Sequence, residues 1–288
     1  MGVAVKHKWS IRKVLMLLLA AGLMLLTAWC AYTVLTLRKV NAALADFKSS
    51  DPAVVASAEE RLSRCASALA IRRIVDASAD PKIDYALLVG ILAKIGEPAV
   101  RPLARVMLDR SVFSRIKLKL KLETAEQQMD RKYFAAYALG RIGSPAVPAL
   151  VDALRSKDND TCQMAILGLG ETHDSRAFDA LVSVLSDSSS RIRAYATGSL
   201  GILADLRALD VLIGLLKDPD RSVRSSAAIQ LGILKDPLAV QALIAALGDG
   251  ELSVRIFVAE ALGKIADPRA VEPLVLLLDD KASYVVGR

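Results

Sequence analysis

Histidine is nearly missing from this chain, at two residues in 288, and cysteine is scarce at three. Metal centres and activated nucleophiles draw on these residue types, so most metallo-chemistry and histidine-assisted hydrolysis have little to be built from. His7 stands near the start and His173 in a turn beside Asp174, where a solvated role is expected. Cys65 and Cys162 have no ligand-spaced neighbours, and three cysteines make no disulfide framework. Buried or packed free thiols are expected instead. Glycine-rich phosphate loops, G-x-S-x-G elbows and Walker-type lysines are also missing. The expectation is no catalytic residue, no metal and no cofactor.

Acidic residues are missing from one region. Residues 1–39 contain six of the 38 Lys+Arg and no Asp or Glu, which leaves 32 basic against 31 acidic residues in the body. The formal charge of +7 therefore belongs to the N-terminus, and the body lacks the basic footprint of a nucleic-acid binder. Val14 to Leu37 carries no charge at all over 24 residues. At about 1.5 Å of rise per residue, a helix this long spans a bilayer.

A cleavable signal has a shorter apolar region, roughly 7–15 residues, so a transmembrane helix is expected, with a secreted form as the result if residues 1–37 are cleaved. Trp29 precedes Cys30 where a lipoprotein anchor needs a small residue. Lys6, Lys8, Arg12 and Lys13 lie before the span, and only Arg38 and Lys39 directly after it. Positive charge stays on the cytoplasmic side. The expected order is a basic cytoplasmic segment (1–13), the span (14–37), a linker (38–50) and an extracytoplasmic body (51–288).

The body repeats itself. LGETHDSRAF from Leu169, LGILADLRAL from Leu200, LGILKDPLAV from Leu231 and LGKIADPRAV from Leu262 stand 31 residues apart, and the same offset links Leu181, Leu212, Leu243 and Leu274. Looser copies, one residue shorter in the turn, begin at Leu92 and Leu139, and residues 51–81 form a degenerate first unit. Apolar residues such as Val223, Ala227, Leu231 and Leu234, then Val240, Leu243, Ile244 and Leu247, fall at helical spacing, which gives two short helices per unit. Asp236-Pro237 and Asp267-Pro268 place a capping carboxylate before a first-turn proline and mark the start of the second helix. Glycine at 170, 201, 232 and 263 costs about 1 kcal/mol in a helix. Its recurrence predicts close helix approach.

These features resemble the HEAT-like repeats, in the short form of roughly 30 residues associated with phycobilisome lyases. The resemblance covers most of residues 51–288 and implies an all-α, right-handed α-solenoid of stacked antiparallel helix pairs, here preceded by a single transmembrane helix. Its most specific element is an aspartate followed six residues later by an arginine, as in DSSSRIR (187–193), DPDRSVR (218–224) and DGELSVR (249–255). The resemblance implies a ladder in which Asp187, Asp218 and Asp249 pair with Arg193, Arg224 and Arg255 of the same or adjacent units. SKDNDTC (156–162) and DKASYVV (280–286) depart from the pattern, so the ladder is expected to weaken there. The related deoxyhypusine hydroxylases use recurring His-Glu pairs for a di-iron site, and no His-Glu dipeptide occurs here.

The interval from Leu92 to Leu139 stretches to 47 residues, which places an insertion at about 111–131. Within it Arg115, Lys117, Lys119 and Lys121 alternate with apolar residues, suited to an extended arm that touches anionic lipid or an acidic partner, or that rests its leucines on the solenoid. Asp280 opens a further unit, and the sequence stops within it at Arg288. In a HEAT-like solenoid the second helices usually line the concave side. Their outward positions, Pro148, Asp179, Asp210, Gln241 and Glu272, and one turn later Asp152, make a mildly acidic stripe suited to a basic or helical peptide. The expected function is a membrane-anchored, non-enzymatic scaffold for a protein partner. An enzyme or accessory factor of the bilin-lyase type is the alternative.

Overall fold

The computed structural model describes residues 11–108 and 124–276. Fifteen α-helices run through them: α1 (Ile11–Asp46), α2 (Pro52–Ser63), α3 (Ala68–Ala77), α4 (Tyr85–Ile95), α5 (Glu97–Met107), α6 (Ala125–Ile142), α7 (Val147–Leu154), α8 (Asn159–Glu171), α9 (Arg176–Ser183), α10 (Ser190–Leu203), α11 (Ala208–Leu215), α12 (Arg221–Leu234), α13 (Val240–Ala246), α14 (Leu252–Ile265) and α15 (Val271–Leu276). There is no strand among the described residues. After α1 the helices form seven pairs, α2/α3 to α14/α15, stacked as an α-solenoid. The basic arm with Arg115, Lys117, Lys119 and Lys121, and the unit opened by Asp280, lie outside the described residues.

Each second helix starts where the sequence places its cap. Asp236 and Asp267 accept from the backbone N–H of Leu238 and Arg269 at 2.9 Å, and Pro237 and Pro268 then open one 3-10 turn before the α-helix begins. Two kinds of turn precede these caps. In the last four pairs the first helix is followed by a non-glycine residue at positive φ, namely His173, Ala204, Lys235 and Ala266, 31 residues apart. In the upstream copies Gly96 and Gly143 end one helix and begin the next, at φ 69° and 80° with ψ −137°. Side chains do not tolerate that backbone region, which is why the turn one residue shorter carries glycine.

From α4 onward the first helices pack most extensively on the first helices of adjacent units, and α5, α7, α9, α11 and α13 each lean on the first helix of the unit after them, whereas α3 rests mainly on α1 and α5. The recurring Leu169, Leu200, Leu231 and Leu262 are buried, as are Ala177, Ala208, Ala239 and Ala270. Glycine sets the separation within the first-helix row. A Cβ on Gly232 would lie 2.8 Å from Ala261 Cα, and one on Gly170 would lie 2.9 Å from Ser199 Cβ. At Gly201 the obstacle is the flexible Gln230 side chain, and at Gly263 nothing stands within 4 Å among the described residues.

Residues 38–50, expected as a linker, are largely something else. Helix α1 continues without interruption to Asp46, and Val40, Ala43, Leu44 and Phe47 are buried against α2 and α3. Their spacing is that of a helical stripe. Arg61 pairs with Asp46, Arg73 Nε donates to Asn41 Oδ1 at 2.8 Å, and Lys48 meets Asp80 at 2.6 Å. The tail of α1 thus covers the otherwise open apolar side of the first helix pair. N-terminal to it, Leu23, Leu25, Leu26 and Trp29 are exposed on a helix long and apolar enough to cross a membrane or to act as a signal sequence. Hydroxyls in that stretch are satisfied internally: Thr27, Thr33 and Thr36 donate to the carbonyls of Met24, Cys30 and Tyr32 at 2.7–2.9 Å.

Glycine substitutions discriminate between these contacts. Gly232→Ala is expected to destabilise the chain by about 1–3 kcal/mol through overpacking, and Gly143→Ala by a similar amount through backbone strain. Gly263→Ala gains up to ~1 kcal/mol of helix propensity. Thermal unfolding of the detergent-solubilised chain, followed by circular dichroism, ranks the three, and an equal response at 232 and 263 would refute the packing argument.

Candidate functional site

Asp218 and Asp249 form rungs between adjacent units, bonded to the arginines of the preceding repeats. Arg193 donates from Nε and Nη2 to Asp218 at 2.9 and 2.8 Å, and Arg224 does the same to Asp249 at 2.7 and 3.0 Å. The third nitrogen points within the unit: Nη1 of Arg193, Arg224 and Arg255 donates to the backbone carbonyl of Asp187, Asp218 and Asp249 respectively. Such a two-pronged pairing fixes geometry as well as charge. The buried residues just before these arginines, Ile192, Val223 and Val254, seat the helix at each rung.

Each rung joins an arginine to an aspartate 25 residues later. By that step Cys162, not an arginine, faces Asp187, whose side chain instead accepts from Ser189 N at 2.8 Å. Burial, helped by the Asp187 charge, pushes the Cys162 thiol up. One unit upstream Lys132 takes the arginine position and reaches Asp158 at 3.5 Å, two residues past Ser156. The same step carries Arg255 to Asp280, outside the described residues. Burial raises the Asp218 carboxyl, but the Arg193 guanidinium and the Asp220 N–H outweigh it, so its pKa lies below the usual 3.8. Asp249 is lowered first by Arg224.

A second set of links lies outside the expected ladder. In the turns, Asp174, Asp205 and Asp267 each bind the arginine two residues on, and Arg176, Arg207 and Arg269 also reach back to the carbonyls of Ser144, Ser175 and Pro237 in the preceding turn at 2.9–3.1 Å. Leu238 occupies the equivalent position in the remaining turn and is exposed, as is Leu206. The signal in the sequence is the D-x-R triplet at 174, 205 and 267. Hydrogen bonding from Arg269, with its own N–H, lowers Asp267 to about 2, and the same bonding to Arg176 holds Asp174 well below the carboxylate range.

Asp152, Asp179, Asp210, Gln241 and Glu272 are all exposed on the second helices. Asp152 has Arg155 at 3.6 Å and Asp179 has Arg207 at 3.4 Å, both loose surface pairs. A different feature lies on the first-helix row. A depression of about 490 Å³ between α12 and α14 is lined by Ser222, Ser225, Ser226, Ile229, Ser253 and Phe257, and one of about 290 Å³ between α10 and α12 includes Arg191 and Tyr195. Small polar residues on outward positions of the first helices are its only sign in the sequence. Cys30, Cys65 and Cys162 are unpaired thiols, and His173 is exposed in its turn. No group of three or more His, Cys, Asp or Glu residues suited to a metal ion converges among the described residues.

The family described as HEAT repeats matches residues 147–232 and 214–288, and the PBS lyase HEAT-like repeat matches residues 132–156. Among solved structures, human deoxyhypusine hydroxylase in complex with glycerol is 22% identical, with 88% of this chain and 93% of that chain covered and a TM-score of 0.35. The complex of CpcE and CpcF of phycocyanin lyase from Nostoc sp. PCC7120 is 22% identical over 82% and 80%, with a TM-score of 0.40. A designed armadillo repeat protein in complex with the peptide (KR)4 is 17% identical over 78% and 98%, also at 0.40. No curated protein matches the sequence.

Removing a ladder partner leaves a desolvated charge, so Arg224→Met is expected to cost about 2–3 kcal/mol. Because the carboxyl of Asp249 is depressed in the folded chain, its contribution is complete above the unfolded value of about 4 and is lost as pH falls through the lower folded value. Asp249→Asn should therefore flatten the stability profile below about pH 4, read by acid titration of the thermal midpoint. Cys162→Arg supplies Asp187 with the missing guanidinium and is expected to raise that midpoint at neutral pH. A fall would show that the rung geometry does not extend to this unit.

Proposed function

We propose that this chain of HEAT repeats is a membrane-anchored, non-enzymatic scaffold that holds a protein partner outside the cytoplasm. The observation that carries the reading is a row of exposed polar side chains, Asp179, Asp210, Gln241 and Glu272 at 31-residue intervals with Asp152 one turn off that register, on stacked helices continuous with an apolar helix of spanning length. Loose pairing leaves those carboxylates available. A basic or helical segment laid across successive second helices meets a carboxylate or amide in each of five units, and phosphates are repelled by the same row. The excess of Lys6, Lys8, Arg12 and Lys13 over Arg38 and Lys39 supports a cytoplasmic N-terminus.

A second reading is favoured by one observation, the PBS lyase HEAT-like match at residues 132–156. It makes the chain an enzyme or accessory factor of the bilin-lyase type.

Cross-linking with mass spectrometry on intact cells, beside protease accessibility from each side of the membrane, tests both. The scaffold predicts cross-links between one protein and the stripe, at least a tenfold loss of recovery in Asp179→Lys/Asp210→Lys/Glu272→Lys, and cleavage of the body from outside alone. Recovery unchanged by charge reversal would remove the stripe from the interface. A cytoplasmic body that binds a tetrapyrrole, seen by visible absorbance, would establish the second reading instead.

A further inference from the structure

The helix that carries the apolar run also fixes which edge of the solenoid faces the bilayer. Arg61 of α2 meets Asp46 near the end of α1, whereas Arg73 of α3 meets Asn41 and Lys48 meets Asp80 further along. The order of these contacts makes α3 parallel to α1, so its N-terminal end, with the short turn from α2, points back along α1 toward the apolar run. Lys94 near the end of α4 pairs with Glu59 near the end of α2. The second unit therefore presents the same edge, where α4 turns at Gly96 into α5.

Charge is sorted along this direction. Asn41 lies about 6 Å and Asp46 about 14 Å beyond Leu37, the last residue of the uncharged stretch. At the nearer level stand Arg38 and Lys39 of α1, Arg72 and Arg73 of α3, and Arg101 of α5, all exposed. Arg72 and Arg101 are each the fifth residue of their helix, and α3 packs beside α5. Apart from the bond from Arg73 to Asn41, these five cations have no hydrogen-bond or ion-pair partner among the described residues. Two carboxylates on the same edge are already engaged, Glu59 by Lys94 and Glu60 by Arg64, and Glu97 has no cation beside it among the described residues. Further out, Asp76 is held by Arg131 and Asp80 by Lys48. The pocket on the α1–α3 seam runs from Asn41 and Arg73 at the nearer level to Lys48 and Asp80 at the outer one.

Resting on the membrane-anchored reading, we infer that Arg38, Lys39, Arg72, Arg73 and Arg101 form a binding site for anionic phospholipid headgroups of the bilayer that α1 spans. Helix continuity holds the cluster at headgroup depth, so the first two units are clamped to the surface with their short turns facing it. Juxtamembrane cations near an anionic surface each contribute roughly fivefold in lipid preference at moderate salt.

The test is native mass spectrometry of the full chain released from bilayers of mixed phosphatidylglycerol and phosphatidylcholine. Wild type is expected to retain phosphatidylglycerol above its bulk proportion. Arg72→Gln/Arg73→Gln/Arg101→Gln should lower that enrichment on the order of a hundredfold, Arg72→Lys/Arg73→Lys/Arg101→Lys should keep it, and Lys217→Gln/Lys235→Gln, remote from the edge, should leave it unchanged. Bulk proportions around wild type, or enrichment surviving the triple Gln variant, would overturn the site while leaving the anchor intact. Extraction of the chain from vesicles by carbonate would instead remove the anchored reading and the site with it.

Discussion

No helix pair in this chain can bury its apolar face alone, and every other feature of the body depends on that constraint. Two helices of about ten residues enclose too little volume for a core, so each pair depends on the next. Contact is closest along the row of first helices, where Gly170 and Gly232 let backbones meet at distances a side chain would forbid. The Arg193–Asp218 and Arg224–Asp249 rungs and the turn arginines at 176, 207 and 269 then tie neighbours at both ends of their helices. Apolar contact gives the stack its cohesion, and the charged links fix its register. Their exposed members add little energy. Those at 193–218 and 224–249 are largely shielded from solvent.

Much of this is legible in the sequence because repetition exposes it. One glycine in a helix is ambiguous, but four at a 31-residue interval imply a common packing cause, and the structure gives that cause for 170 and 232. The aspartate–arginine spacing indicates a ladder while leaving the partner open. Choosing between same and adjacent unit needs the offset of one helix pair against the next, which sequence does not carry. The D-x-R links in the turns are hidden because the aspartate already reads as a helix cap and the middle residue varies from Ser175 to Leu206 to Pro268, although three of the four turns place arginine two residues after the aspartate. The depressions beside Ser225 and Phe257 arise between helices of different units, so no single unit shows them.

The boundary of the apolar helix is hidden for a related reason. A search for apolar runs stops at Arg38, where charge begins, and residues 38–50 look polar enough to serve as a linker. Yet Val40, Ala43, Leu44 and Phe47 lie on one face, and a helix already propagating through the preceding residues continues without the cost of a new nucleus. Their burial makes the end of α1 part of the body.

That placement bears on whether the N-terminal run is a retained anchor or a removed leader. A solenoid needs its first pair covered, because an uncovered terminal face leaves apolar side chains in water. Here the cover is the tail of the same helix that carries the apolar run. A cut near residue 37 leaves residues 40–47 in place, yet they must then hold a helical turn without the long helix that now feeds into it. Short isolated helices are marginal in water, so packing against α2 and α3 alone would have to maintain the cover. Retention avoids that cost. In this chain the apolar helix and the end cap are one structural element.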